Sequence, residues 1–293
     1  KVIWAIDQVN AELDSLKGVG EQLAFAKKLN LDDLLFTYGV RINYQLIADM
    51  NCAQIPLNVG NMGNQGQIEL VPWLFFPVFV PLSTHPLVKN LEGIRSEFAS
   101  TIDTLAVSGL RKTVLLSSSP YSKLMEVPNL ISLQMVEQEP DPATFRSDPQ
   151  PVAVLLEGRF KSTFKNRPIP AQLENFSNRL DQSQPTQMLV LSDGDLFKNQ
   201  VGADGSPYPL GYDRYTQQQY GNKALLLNAV DFMSGDGDLL NLRSKELKIR
   251  LLDKALVKAD KTFWQLINVV LPLLMLAIFG FFQHWYRKRK YTV

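Results

Sequence analysis

The chain has 293 residues, 45% hydrophobic and 20% charged, which is enough for one large or two smaller globular cores. A formal charge of +1 offers no electrostatic case for a nucleic-acid partner. The single cysteine, Cys52, excludes an internal disulfide without fixing the redox compartment.

Lys1 to Ile6 is an apolar run ending in Asp7, read as a strand already inside a sheet. It carries neither an initiator Met nor a signal-peptide pattern, so the expectation is the ordered C-terminal part of a longer polypeptide. Leu23 to Leu35 has leucine and phenylalanine at helical spacing, with Asn30 as N-cap and the helix closing at Tyr38-Gly39-Val40. Arg41 to Asp49 reads as strand with a short helix, and Asn58 to Gly66 as a Gly/Asn hairpin turn. Glu69 to Ser83 is strongly apolar but too short to span a membrane. Pro72, Pro77 and Pro81 punctuate it, which suits an edge strand or an extended crossover packed on a core. His85 sits before a proline in a polar loop with no second histidine nearby, so it reads as a loop-fixing hydrogen bond rather than a metal ligand.

Lys112 to Leu116 is a further strand emptying into Ser117-Ser118-Ser119-Pro120. Residues 137–150, with three prolines, read as a linker, and Val152 to Gly158 as another strand. Phe160 to Gln187 reads as a surface excursion with one short helix. Gln187 to Ser192 is a strand that enters Asp193-Gly194-Asp195. Phe197 to Tyr220 follows as a long surface loop, then a buried helix from Asn222 to Met233. The soluble α/β domain is placed at 1–240 and a juxtamembrane stalk at 241–262, where Leu239 to Val257 is rich in Leu, Lys and Arg.

Phe263 to Phe282 holds twenty residues without a charge. At roughly 1.5 Å per residue such a helix is about 30 Å long, the thickness of a bilayer's hydrocarbon core. Trp264 at one end and Trp285 with Tyr286 at the other fit the two lipid-water interfaces, and Arg287, Lys288, Arg289 and Lys290 form a basic tail over 283–293. Pro272 is tolerated in a span, while Gln265, Asn268 and Gly280 are expected at a helix-packing face. From Lys261 onward there is no Asp or Glu, which suits contact with anionic lipid.

Strands that end in Asp7, Ser117-Ser118 and Asp193 to Asp195 place small polar residues at one sheet edge, where open parallel sheets bind ligands. A ligand cleft lined by Asp7, Ser117, Ser118, Asp193 and Asp195 is one reading. Capping of the following helices is the other. No nucleophile elbow, Walker loop, dinucleotide fingerprint or zinc-protease motif occurs, and Asp193-Gly194-Asp195 lacks the later ligands of a calcium loop. Cys52 has only His85 and His284 as conceivable bases, so it reads as an inert buried thiol. No catalytic residue, metal or cofactor is therefore assigned.

Taken together, Val2 to Asp7 with Asn10 to Asp14, Leu29 to Phe36 with Tyr38 to Asn43, Asn51 to Pro56, Pro72-Trp73, His85-Pro86-Leu87, Leu115 to Ser119 and Leu191 to Asp195 resemble the GldG family of gliding-motility ABC transporter subunits of the Bacteroidota. The resemblance covers essentially the whole chain and is most specific over Asn30 to Asn43. It implies a Rossmann-like, glutamine-amidotransferase-like periplasmic domain without that fold's catalytic residues, and one C-terminal inner-membrane helix. It also implies a GldF-like permease and a GldA-like ATPase as partners, membrane lipid around the helix, and a further periplasmic protein as binding partner. Basic residues after the span favour a cytoplasmic tail, whereas Arg243, Lys245, Lys248, Arg250, Lys254, Lys258 and Lys261 before it count the other way; the resemblance places the soluble part in the periplasm. A periplasmic binding module for a small molecule, sugar or peptide is the alternative function, and an amidotransferase-like hydrolase a third.

Overall fold

The computed structural model describes residues 1–62, 65–138, 140–165, 180–235 and 261–291. Two compact units divide the chain, Lys1–Lys245 and Glu246–Val293. In the first unit the elements run β1 (Val2–Ala5), β2 (Val9–Asn10), α1 (Leu13–Val19), β3 (Glu21–Ala26), α2 (Asp32–Thr37), β4 (Val40–Ile42), β5 (Gln45–Asp49), β6 (Cys52–Met62) and β7 (Gln65–Phe79). They continue with β8 (Ile94–Arg95), β9 (Ile102–Thr104), β10 (Leu110–Ser117), β11 (Ser122–Glu126), β12 (Asn129–Ser132), β13 (Pro151–Gly158), β14 (Thr186–Leu191), β15 (Tyr212–Asp213), β16 (Gln218–Gln219) and α3 (Asn222–Ser234). The second unit contributes α4 (Lys261–Tyr291).

The unit is organised on a four-stranded sheet in the order β1-β14-β13-β10. Its central strands carry the apolar runs Val152 to Leu156 and Met188 to Leu191 because both faces are covered. Along β13 and β14, Ala153, Leu155, Leu189 and Leu191 pack into one cluster with Leu225 and Ala229 of α3. The alternate residues Val154, Leu156, Met188 and Val190 pack into another with Leu35, Val40, Ile42 and Phe160. That two-residue alternation between two buried faces is why these stretches read as unbroken hydrophobic runs.

Strand direction is not encoded in such runs. β1 pairs with β14 in parallel, but β13 is antiparallel to both β14 and β10. The fold is mixed α/β with several sheets rather than the all-parallel arrangement that apolar strands alone suggested. β1, β14 and β10 nevertheless run the same way, since β10 and β14 are both antiparallel to β13. Their carboxyl ends share one edge, with Ala5 and Ala153 level with Leu191, and Leu116 level with Ala153.

A second core lies around a long hairpin. β6 and β7 pair from Cys52 opposite Pro77 to Met62 opposite Gln65, so a hairpin forms where one was expected, but Asn58 to Met62 and Gln65 to Gly66 belong to its strands rather than to the turn. Trp73, Phe75 and Phe76 are buried there against Phe98, Trp73 meeting Phe75 edge-on at 5.5 Å. The proline-punctuated stretch is thus the middle strand of β6-β7-β8 rather than an edge strand. Prolines are accommodated because β8 pairs only with Val78 and Phe79, so most of the second edge of β7 needs no ladder donor.

Four further expectations are corrected. Leu23 to Leu35 is not one helix: β3 pairs with β12 and β2, with Ala24 buried between exposed Leu23 and Phe25, and helix begins only at Asp32. Period-two burial and pairing on both edges override the helical spacing of the leucines. Asn30 does not cap α2; it takes a positive φ of 57° and Leu31 occupies the cap position. Arg41 to Asp49 is two strands without a helix, all five residues of β5 being buried. α3 is buried along one face only, through Asn222, Leu225 and Ala229, and exposes Leu227 and Val230. Gly39 does end α2 as expected: its φ is +79°, and a Cβ there would come within 2.8 Å of the Leu105 carbonyl oxygen. The expected stalk over 241–262 falls mostly outside the described residues, as does the short helix sought between Phe160 and Gln187 where it would cross 166–179.

α4 contains the uncharged stretch seen in the sequence and is long and apolar enough to cross a bilayer. Leu271, Leu274, Met275 and Phe279 are all exposed on its surface. Pro272 lies inside it, and Gly280 meets nothing within 4 Å. Toward its basic end Arg289 stacks over the Trp285 ring at 4.8 Å and Lys290 over Tyr286 at 6.0 Å, i,i+4 pairs that suit an interfacial belt.

Candidate functional site

The carboxyl ends of β1 and β14 bring together the acidic residues singled out in the sequence. Asp193 follows β14 and is fully buried. Its Oδ2 accepts hydrogen bonds from the Ser96 hydroxyl and, at 2.8 Å, from the Glu97 N–H, while Oδ1 accepts from the Asp195 N–H at 2.7 Å. Asp7 follows β1, and its Oδ1 accepts from the Gly194 N–H at 2.6 Å. Gly194 is needed for this approach, since a Cβ would stand 2.9 Å from the other carboxylate oxygen of Asp7. Burial pushes the Asp193 carboxyl well above the ordinary range; the Ser96 bond opposes that shift and the nearby Asp7 charge adds to it. This centre ties the sheet edge to the segment carrying Ser96 and Glu97, a structural task close to the capping alternative.

Asp195 opens a 3-10 turn and pairs with Lys198 at 3.2 Å. It also lines a depression of about 240 Å³ whose walls come from the start of α1, β6, β8, the 195–201 segment and β15. Arg95 and Glu97 lie in its wall, their side chains joined at 2.9 Å, with the Arg95 guanidinium 4.8 Å from the centre of the Phe76 ring. Burial raises the Glu97 carboxyl as well, with Arg95 opposing the shift.

Ser117 and Ser118 are at the same sheet edge but beyond β13, and they line a different depression of about 610 Å³ with Asn51, Val80 and Leu82. The Ser118 hydroxyl is 3.0 Å from that of Ser122 and accepts from the Gln150 N–H at 2.9 Å. Ser119 beside it donates from its N–H and its hydroxyl to the two oxygens of buried Asp49, at 2.8 and 2.6 Å. The five residues expected in one cleft therefore fall into a buried acidic centre, a polar depression and a serine-rich depression. Asp49, Ser96, Arg95 and Asp213 were missed. Asp49 had a signal, as the acidic end of an apolar strand; the others reach their places through long-range topology that no local pattern announces.

No group of three or more His, Cys, Asp or Glu side chains able to hold a metal occurs among the described residues. His85 fixes its own loop, accepting at Nδ1 from the Leu87 N–H at 3.3 Å. Cys52 is half-buried, and burial, reinforced by the Asp49 charge, pushes its thiol up to about 11. With so little thiolate at neutral pH, Cys52 is expected to alkylate about a hundredfold more slowly than a free thiol in the same buffer, measured as iodoacetamide incorporation against time. Labelling at the free-thiol rate would show an activated cysteine instead.

Residues 1–229 match the model of a family described as an ABC-type uncharacterized transport system, whose short name denotes an auxiliary component. No curated protein and no solved structure matches the chain.

Proposed function

This chain belongs to the ABC-type transport auxiliary family, and on that premise we propose that it is a non-catalytic, membrane-anchored accessory subunit whose α4 spans the bilayer beside a permease. The observation that carries the proposal is α4 itself, a helix with an uncharged stretch from Phe263 to Phe282 whose large apolar side chains are exposed, joined in one chain to a family domain of transport accessories. In water that surface is unfavourable; among lipid tails and a partner helix it is matched.

At the finer level, the sequence resemblance supports the gliding-motility branch of the Bacteroidota. There the soluble unit stands in the periplasm of the inner membrane, the tail is cytoplasmic, and a GldF-like permease and a GldA-like ATPase complete the complex. The common direction of β1, β14 and β10 between two covered faces supports a distant Rossmann-like relation. ATP hydrolysis belongs to the separate ATPase chain, in keeping with a sequence that has no phosphate-binding loop.

Asn268 and Gln265 are exposed polar groups on the helix, and each is best satisfied against another transmembrane helix. Purification of the tagged full chain from its native membrane should recover a polytopic permease and an ATPase. Asn268→Leu should lower permease recovery several-fold, in line with about 1 kcal/mol for one interhelical hydrogen bond. Recovery of neither partner by the unsubstituted chain would reject the assignment.

A further inference from the structure

β3 is covered on one face only. Ala24 is fully buried in the core, and the alternate residues Glu21, Leu23 and Phe25 point outward. Leu23 is 54% exposed and Phe25 46%, and Leu130 of β12, directly opposite Leu23, is 48% exposed. A single exposed leucine is ordinary on a protein surface. Three large apolar side chains side by side on one sheet face form a contiguous patch, and such a patch marks a place that another surface covers.

The order of side chains along β3 defines that surface. The Lys27 N–H donates to the Gln8 carbonyl oxygen at 2.8 Å, which carries the β2–β3 pairing one residue further and puts Lys27 on the same side as Phe25. Along this face the order is acid, apolar, apolar, base: Glu21, Leu23, Phe25, Lys27. Turned by half a circle about its midpoint at Ala24, the row meets itself with opposite charges facing. Glu21 comes opposite the partner's Lys27 and Leu23 opposite the partner's Phe25, and each contact occurs twice, as an isologous two-fold interface requires. The end charges are open to this use. Glu21 is exposed, and Lys27 keeps 30% of its side chain exposed with its ammonium 3.9 Å from the Asp7 carboxylate, longer than a hydrogen bond. The nearby Asp32 carboxylate is already occupied by the Gln8 amide and the Tyr44 hydroxyl.

We propose that two copies of this chain pair through the outer face of β3 and β12, their β3 strands stacked antiparallel across a two-fold axis at Ala24. Three strands at about 4.8 Å spacing, over the length from Glu21 to Lys27 at about 3.3 Å per residue, give a face of about 300 Å² per copy. That is at the low end for specific interfaces, so the pair is weak and reversible. The interface lies within the soluble unit and does not rest on the transporter assignment.

The test is sedimentation equilibrium of the full chain in density-matched detergent over a wide range of protein concentration, where a reversible monomer–dimer equilibrium is expected. Leu23→Glu and Phe25→Glu each set a charge against an apolar surface twice over, so each should weaken dimerisation about tenfold or more. Melting temperatures should be unchanged, both positions being exposed. Glu21→Lys and Lys27→Glu should each weaken self-association, and an equal mixture of these two variants should form the mixed pair in preference to either homodimer. A second measurement reads the register in the native membrane. Copies carrying Leu23→Cys should cross-link under mild oxidation to copies carrying Phe25→Cys faster than to their own kind, with the Cys52-only chain as background. A chain that stays monomeric at every concentration, assembly beyond two copies, dimerisation unchanged by the β3 substitutions, as pairing through α4 alone would give, or equal cross-linking of like and unlike copies would overturn the proposal.

Discussion

Placing two arginines in the middle of α4, Leu271→Arg with Leu274→Arg, is expected to release the protein from the membrane. Both leucines are exposed on the helix near the centre of the uncharged stretch. An arginine at the centre of a spanning helix costs about 2.5–3.5 kcal/mol on insertion scales, so the pair costs about 5–7 kcal/mol. At 1.4 kcal/mol per decade that is about four to five decades in partition. In alkaline carbonate extraction the unsubstituted chain should stay in the membrane pellet and the double variant should move to the supernatant. Arginines introduced at exposed Leu227 and Val230 of α3 serve as the control for added charge and should leave the pellet fraction unchanged. Equal extraction of the wild type and the α4 variant would mean that the helix is held by protein contacts, and the anchored-subunit reading would fail with it.

The same contrast explains what the sequence could and could not reveal. An uncharged apolar stretch such as Phe263 to Phe282 is legible because length and composition alone make it long and apolar enough to cross a bilayer. Val152 to Gly158 and Gln187 to Leu191 were legible for a related reason, being covered on both faces. Their relative direction was not, because a strand buried on both sides has the same composition whether its neighbour runs parallel or antiparallel. Leu23 to Leu35 misled because spacing near 3.6 and alternation near 2 coincide over a few residues, and only pairing with β12 and β2 separates them. Of the proposed cleft, Asp7 and Asp193 lie together because their strand ends share an edge, whereas Ser117 and Ser118 lie beyond an interposed antiparallel strand. Arg95 and Asp213 come from two-residue strands, and such elements leave no periodicity to read.

Asp193→Ala is expected to be the most destabilising single substitution at the sheet edge. The carboxylate serves three donors, the Ser96 hydroxyl and the N–H groups of Glu97 and Asp195, and the site is closed to water. Alanine leaves all three without an acceptor. At about 1–3 kcal/mol for each buried unsatisfied group, with partial relaxation, the loss should be about 3–5 kcal/mol, a large fraction of the 5–15 kcal/mol typical of a whole domain. Urea unfolding followed by tryptophan fluorescence measures it, and a change below about 1 kcal/mol would mean that water enters and replaces the carboxylate.

The same residue sets a pH signature of definite sign. Burial raises the Asp193 carboxyl above its unfolded value of 3.8, with Asp7 adding to the shift. Between those two values the folded state retains a proton that the unfolded state has lost. This contribution is therefore full below the unfolded value and declines as pH rises through the folded one. Glu97, also raised by burial, acts in the same direction. Asp14, lowered by its bond to Lys17, acts in the opposite direction, losing its contribution as pH falls. Comparing the wild type with Asp193→Asn isolates the buried carboxyl, because the amide cannot ionise and the other groups are common to both. As pH rises above 3.8 toward neutral, the melting temperature of the wild type should fall relative to that of Asp193→Asn. A wild type that instead gained on the variant over this interval would mean that the three donors outweigh burial and keep Asp193 ionised in the folded protein.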